Sequence, residues 1–175
     1  MSDYKDTIID NMRIFSIQSN SVFVGYNLLF GSSCYGTLVN VPKDQILEMP
    51  VCEGLMTGIS TGMAMAGFRP VLIFERHDFM LLAMDQLVNH LNKIALISKG
   101  EFQPKVIIRA IVGGTKPFDP GPQHSANYSF QLERLLPQCR VYNCTNAQIL
   151  KNAYENVFDS RNTHSIIIVE YRNLY

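Results

Sequence analysis

Pro50-Val-Cys-Glu-Gly-Leu-Met-Thr-Gly-Ile-Ser-Thr-Gly-Met-Ala-Met-Ala-Gly67 carries a single carboxylate, Glu53, followed by a small residue at every fourth position. Gly54, Gly58, Gly62 and Ala66 share one face of a helix because the helical period returns every three to four residues. Each glycine costs roughly 0.5–1 kcal/mol relative to alanine in a helix interior. The stretch therefore predicts a helix that packs closely on another backbone, with Glu53 in its first turn. A surface glutamate favoured by the helix dipole would give the same pattern.

Apolar runs alternate with helical patterns on both sides of this stretch. Strands are predicted near residues 22–25, 45–48, 71–74, 106–112, 140–142 and 165–170, and helices over 4–17, 53–67, 79–97, 125–135 and 147–158. Such alternation implies parallel pairing through right-handed crossovers. The fold class predicted is α/β, a doubly wound and mostly parallel sheet with helices on both faces.

Ligands of such folds bind outside the carboxyl ends of the strands. Glu53, the turn after Phe74 and the loop over residues 113–123 each follow a predicted strand. The loop is rich in glycine and proline, which exclude it from a helix or a central strand. We therefore expect these three segments to meet at one edge of the sheet and to form a site there.

The composition narrows the function class. Fifteen basic and fifteen acidic side chains cancel without a long charged run, which disfavours nucleic-acid and anionic-membrane partners. No run of apolar residues is long enough for a membrane span, and the first residues lack the pattern of a signal peptide. The four cysteines form no C-x-x-C pair, so we expect reduced thiols in a single cytoplasmic domain over residues 1–175.

Several short motifs occur in a characteristic order. The chain resembles the pyrimidine-binding domain of thiamine diphosphate enzymes, most closely the beta subunit of pyruvate and other 2-oxoacid dehydrogenases. The resemblance rests on Pro50-Val-x-Glu53 with G-x-x-x-G-x-A-x-x-G, Gly67-Phe-Arg-Pro70, Asp78-Phe79, Met84-Asp-Gln86, Gln123-His-Ser125 and the Ile-Ile-Ile-Val-Glu-Tyr strand that ends near Leu174-Tyr175.

The resemblance implies a role for particular residues. Glu53 matches the glutamate that hydrogen-bonds ring nitrogen N1′ of the cofactor's aminopyrimidine, where a carboxylate can share a proton. Phe79 matches the aromatic residue that stacks on the pyrimidine, and Val51 and Cys52 would border the same pocket. His124 matches the histidine that reaches toward the reacting carbon. Without the resemblance, Phe79 could equally be a residue of the hydrophobic core. His124 could equally be a polar residue on the surface.

The resemblance also has departures and gaps. Glu75 and His77 occupy a turn where the family usually has apolar or aromatic residues. A Gly-Asp-Gly followed by a distal asparagine, by which the companion domain holds magnesium and diphosphate, is missing. We therefore expect the pyrophosphate-binding and carboxyl-terminal domains to be absent and assign no metal ligand to this chain.

These features predict the pyrimidine-binding subunit of a two-component enzyme that acts on a 2-oxo acid or ketose. Thiamine diphosphate would lie at a subunit interface, with Mg²⁺ held mainly by the partner chain. Two copies of this chain would form a homodimer through the glycine face of the Glu53 helix. This dimer would join a pyrophosphate-domain subunit in a heterotetramer, and the chain would be inactive without that partner. The alternative is a noncatalytic binding or regulatory module that retains the fold. An unrelated nucleotide-binding domain is disfavoured, because G-x-G-x-x-G and a phosphate-binding lysine motif are missing.

Overall fold

A computed structural model describes residues 3–116 and 118–175. The strands are β1 (Ser21–Gly25), β2 (Ile46–Glu48), β3 (Arg69–Phe74), β4 (Ile107–Val112), β5 (Cys139–Asn143) and β6 (Ser165–Tyr171). The helical segments are α1 (Asp3–Ser16), α2 (Ser33–Gly36), α3 (Glu53–Met65), α4 (Ile94–Ile97), α5 (Ser129–Leu135) and α6 (Ala147–Phe158). α2 is a single turn whose residues have positive φ, so its backbone is left-handed. Short 3-10 turns cover Lys43–Gln45, His77–Ala83, Pro122–His124 and Arg172–Leu174, and a π-helix covers Gln86–Leu91. One proline of the predicted 113–123 loop, Pro117, lies outside the described residues.

The six strands form one sheet in the order β2-β1-β3-β4-β6-β5, and every strand pair is parallel. The chain leaves β1 toward β2 on one side and leaves β3 toward β4 on the other. The predicted doubly wound sheet is therefore confirmed, and the order reverses between β1 and β3. A reversal of this kind opens a crevice at the carboxyl ends of the two strands.

Each face of the sheet is covered by its own hydrophobic core. In β4, Ile107 and Ile111 pack toward α1 and α6, whereas Ile108 and Ala110 pack toward α3 and α5. The alternation follows from the period of two along a strand. It explains why the central strands are apolar on both faces and confirms that helices cover both sides.

The predicted single helix over residues 79–97 is wrong. A 3-10 helix, a π-helix and the short α4 replace it, so the segment changes its rise and its period along its length. Leu82 is 67% exposed, whereas Leu87 and Leu91 are buried. Since these two leucines are four residues apart, the sequence pattern matches a regular helix and does not reveal the change.

A buried ion pair joins β4 to β6 beneath α6. Arg109 Nε donates to Glu170 Oε1 at 2.7 Å and its Nη2 donates to Oε2 at 2.9 Å, and both side chains are fully buried. The same carboxylate accepts hydrogen bonds from the hydroxyls of Tyr154 and Tyr175. Arg109 Nη2 also donates to Thr37 Oγ1 at 3.1 Å, which ties the segment after α2 to the sheet.

All four cysteines lie within the described residues and are free thiols, as predicted. Across the described parts of the chain, no helix combines the length and apolar character needed to cross a membrane.

Candidate functional site

The segments after β1, β2, β3 and β4 lie at the carboxyl edge of the sheet, as the topology predicts. Glu48 at the end of β2 shapes the first of them. Its carboxylate accepts hydrogen bonds from the backbone N–H groups of Asn27, Leu28 and Leu29 at 2.7–2.9 Å. The loop after β1 is therefore held against β2 by a charged acceptor, which makes stronger hydrogen bonds than a neutral one.

Glu53 begins α3 and is only 4% exposed. The N–H groups of the first helical turn and the helix dipole favour its negative charge. Val51 is 70% exposed, and Cys52 carries an exposed free thiol. Two exposed residues therefore directly precede the buried carboxylate in the chain.

Phe79 and His124 are in direct contact. Their ring centroids are 5.4 Å apart and the rings meet edge to face. His124 is placed by its backbone, because its carbonyl oxygen accepts a hydrogen bond from Gly113 N–H at 3.1 Å. A Cβ atom at Gly113 would lie 2.0 Å from that oxygen, so only glycine fits there.

His77 and Asp78 fasten the loop that carries His124. Asp78 Oδ1 accepts a hydrogen bond from Ala126 N–H at 3.2 Å, and His77 Nε2 accepts one from Tyr128 N–H at 3.3 Å. Nε2 is an acceptor, so Nδ1 of the neutral ring carries the proton. Burial lowers the pKa of His77 to about 4, and its imidazole is therefore neutral at physiological pH.

Tyr26 is a site residue that the sequence patterns do not indicate. It directly follows β1, is almost fully buried, and lies within electrostatic reach of Glu53. Burial and, to a lesser extent, the Glu53 carboxylate raise the pKa of its hydroxyl, which therefore stays protonated. Its position at the carboxyl end of a central strand is the only signal in the sequence.

Four buried polar atoms at this edge have no hydrogen-bond partner among the described residues. They are Tyr26 Oη, His77 Nδ1, Asp78 Oδ2 and His124 Nδ1. An unsatisfied buried polar atom costs about 1–3 kcal/mol, so native proteins rarely leave several together without a ligand or water. Together with the flat ring of Phe79 and the carboxylate of Glu53, these atoms fit a planar nitrogen heterocycle.

The glycine face of α3 is packed within the chain along part of its length. A Cβ at Gly54 would lie 3.8 Å from Leu82 O, and one at Gly58 would lie 3.1 Å from Gln86 Oε1. Apart from the backbone of its own helix, no atom of the described residues lies within 4 Å of a Cβ placed at Gly62. Gly54 and Gly58 therefore allow the close approach of residues 77–91, and the packing of this face on a second copy stays a prediction.

The opposite edge of the sheet has a cavity of about 380 Å³ that Arg69, Lys105 and His164 line in part. It is far from the predicted site, since it lies at the amino ends of β3, β4 and β6. Within residues 3–116 and 118–175, no three His, Cys, Asp or Glu side chains are grouped so that they could hold a metal ion.

The chain is similar to known proteins over most of its length. A family model described as the transketolase pyrimidine binding domain matches residues 18–175. The pyruvate dehydrogenase E1 component subunit beta of Cyanidium caldarium is 30% identical over 152 residues, covering 81% of this chain and 44% of that protein. The chloroplastic subunit beta-3 of Arabidopsis thaliana is 31% identical over 134 residues, covering 75% of this chain and 31% of that protein. The chain thus spans less than half the length of these relatives.

The fold is also found among solved structures. A split gene transketolase, solved as an inactive beta4 tetramer, has a TM-score of 0.70 at 16% identity, covering 97% of this chain and 50% of that chain. At this identity the likeness concerns the fold.

Proposed function

Because the chain belongs to the family of transketolase pyrimidine-binding domains, we propose that it is the pyrimidine-binding subunit of a two-component thiamine diphosphate enzyme. The enzyme would act on a 2-oxo acid or ketose and would be inactive without a pyrophosphate-domain partner. The observation that carries the proposal is Glu53, a buried carboxylate at the first turn of α3, on the same sheet edge as four unpartnered buried polar atoms.

Glu53 and Phe79 would hold the pyrimidine ring. When bound, thiamine diphosphate supplies a nucleophilic carbon that adds to the substrate carbonyl. Glu53 would exchange a proton with ring nitrogen N1′, which requires a carboxylate sheltered from water. Phe79 offers an apolar ring face. Asp78 and the neutral imidazole of His77 hold the adjacent loop in place.

His124 would act on the substrate. Its Nδ1 has no partner among the described residues, its ring contacts Phe79, and its backbone carbonyl accepts the Gly113 hydrogen bond. An imidazole can both donate and accept a proton. A ring fixed in this way is suited to move a proton at the atom next to the cofactor.

The surface around Glu53 supports a requirement for a second chain. Val51, Leu55, Leu81 and Leu82 are all exposed apolar side chains near the start of α3 and the 3-10 helix that packs on it. Exposed apolar residues grouped in this way mark protein contacts. We propose that a pyrophosphate-domain subunit covers them and supplies the ligands for diphosphate and Mg²⁺, in a heterotetramer that contains two copies of this chain. The cytoplasm is the proposed location.

The test is reconstitution with a protein that contains the pyrophosphate-binding domain and is encoded beside this chain. Consumption of 2-oxo acids and ketoses is measured for each protein alone and for the mixture with thiamine diphosphate and Mg²⁺. We expect turnover only in the mixture, and its loss in Glu53→Gln with assembly intact. Glu155→Gln, an exposed change on α6, is the matched control and should keep full activity.

Two outcomes contradict the proposal. Full turnover by the Glu53→Gln complex removes the assigned role of Glu53. Assembly and cofactor binding without turnover of either substrate class favour the noncatalytic module instead.

A further inference from the structure

The cavity of about 380 Å³ at the amino edge of the sheet lies where three neighbouring strands begin. Arg69 is the first residue of β3, Ile107 is the first of β4, and Ile166 is the second of β6. The end of α3 and the loop between α6 and β6 form the other walls. Ligand pockets have volumes of about 300–1,000 Å³, so this cavity is large enough for a whole small molecule.

Helix α3 separates this cavity from the site proposed above. Glu53 is the first residue of the helix, and Ala64, close to its other end, lines the cavity. A helix rises about 1.5 Å per residue, so these two residues are about 16 Å apart along the helix axis. The reaction proposed for Glu53 therefore does not use the cavity.

One part of the cavity is aromatic and aliphatic. The rings of Phe15 and Phe158 are stacked, with their centroids 4.6 Å apart. Phe68 also lines the cavity and is 43% exposed, so part of its apolar surface faces water. Ile107 and Ile166 add buried aliphatic side chains. A flat ring placed here would bury more of this apolar surface, which is favourable.

The polar part of the cavity is cationic. Arg69 and Lys105 line it, and neither forms an ion pair within the described residues. Arg69 Nη1 donates a hydrogen bond to Gln18 Oε1, which holds the guanidinium, while its other N–H groups have no partner in the described chain. Asp159 lines the cavity too, but its carboxylate is bonded to Arg161 at 2.8 Å. A phosphate or a carboxylate could therefore pair with Arg69 and Lys105.

A buried amide holds the loop between α6 and β6 in shape. Asn162 Nδ2 donates to His164 O at 2.9 Å, and Asn162 Oδ1 accepts a hydrogen bond from His164 N–H at 3.2 Å. Asn162 N–H also donates to Asp159 O at 2.9 Å. All three residues line the cavity, so this wall is fixed before a ligand arrives. A site formed in advance lowers the entropic cost of binding.

We propose that this cavity is a second ligand site, for a small molecule in which a flat ring carries a phosphate or a carboxylate. The ring would lie against the phenylalanines, and the oxyanion would bind Arg69 and Lys105. Gln18 and Gln103, which also line the cavity, can hydrogen-bond polar atoms of the ring. A nucleoside monophosphate and an aromatic carboxylate both have this chemistry. The site is additional to the proposed function and does not depend on it.

The test is calorimetric titration of the full chain, without cofactor or partner, with adenosine monophosphate and, separately, with naphthoate. Inorganic phosphate, which has the oxyanion but no ring, is titrated in the same way. Low ionic strength keeps the screening of the two cations small.

Arg69→Gln and Lys105→Gln each remove one cation of the cavity. Lys43→Gln is the matched control, since Lys43 is an exposed lysine that does not line the cavity. Circular dichroism shows whether each variant is folded, and Lys105→Gln decides the question if Arg69→Gln is not.

We expect at least one of the two ring compounds to bind, with about tenfold or greater weakening in each cavity variant and no change in Lys43→Gln. Tighter binding of adenosine monophosphate supports a nucleotide ligand, and tighter binding of naphthoate supports an aromatic acid. Three results overturn the inference: neither compound binds, Lys43→Gln weakens binding equally, or inorganic phosphate binds as tightly as the better ring compound. The titration does not involve Glu53 or a partner, so any of these results leaves the proposed function standing.

Discussion

His77 makes the stability of this domain depend on pH in a way that can be calculated. Its side chain is fully buried, and burial lowers its pKa from the ordinary 6.5 to about 4. Below the ordinary value the unfolded chain binds a proton that the folded chain does not bind until about pH 4, so acid favours unfolding. Because each pKa unit corresponds to about 1.36 kcal/mol, His77 lowers the free energy of unfolding by about 3 kcal/mol between pH 6.5 and pH 4.

The perturbation is His77→Gln, whose side-chain oxygen can still accept the Tyr128 N–H but does not titrate. Urea unfolding of both proteins is followed from about pH 7 to about pH 4, and the wild type should lose about 3 kcal/mol more than the variant. Contributions from carboxylates are common to both proteins and cancel in the difference. The control is His90→Gln, which shows what the removal of an exposed imidazole does to the same curve, since the His90 side chain is 54% exposed. Parallel stability curves for wild type and His77→Gln would refute a buried neutral imidazole.

Two further substitutions test the support of the site and of the sheet. Gly113→Ala places a Cβ 2.0 Å from the His124 carbonyl oxygen. The resulting shift of His124 should lower turnover of the reconstituted complex by about a hundredfold. The control is Gly62→Ala, since apart from its own helix backbone no atom of the described residues lies within 4 Å of the added Cβ. This variant should keep its turnover and, because Gly62 is inside a helix, should gain about 0.5–1 kcal/mol of stability. Equal losses of turnover in the two variants would contradict the role of Gly113. Arg109→Met leaves Glu170 buried without its counter-ion and should lower the free energy of unfolding in urea by about 3–5 kcal/mol. The double variant Arg109→Met with Glu170→Leu should recover most of that loss. A double variant as unstable as the single one would contradict the role of the buried ion pair.

Much of the fold follows from the sequence because the strands and several helices have strong periodic patterns. The apolar run of β4 and the amphipathic pattern of α6 each determine an element through burial alone. The segment over residues 77–97 does not follow from its pattern. Its 3-10 and π turns depend on the contacts of His77 and Asp78 with the 126–128 backbone and on the approach of Gln86 to Gly58. These contacts are between residues distant in sequence.

The site is predictable to a similar extent. Glu53, Phe79 and His124 follow strands or begin helices, so topology alone places them at one edge, and Phe79 and His124 are in contact there. Tyr26 also follows a strand, β1, so topology places it at the same edge, but no motif singles it out. Tyr35 lies in a turn with three left-handed residues that are not glycine, which no sequence pattern indicates. These side chains come from different loops and meet only in the folded chain, so no local sequence pattern predicts their contact.

The most direct test of the central role of Glu53 is exchange of the thiazolium C2 proton of thiamine diphosphate with deuterium, followed by proton NMR in the reconstituted complex. The wild-type complex should accelerate this exchange, and Glu53→Gln should bind the cofactor but lose the acceleration. If Glu53→Gln exchanges the proton as fast as the wild type, the buried carboxylate at the start of α3 does not act on the pyrimidine ring.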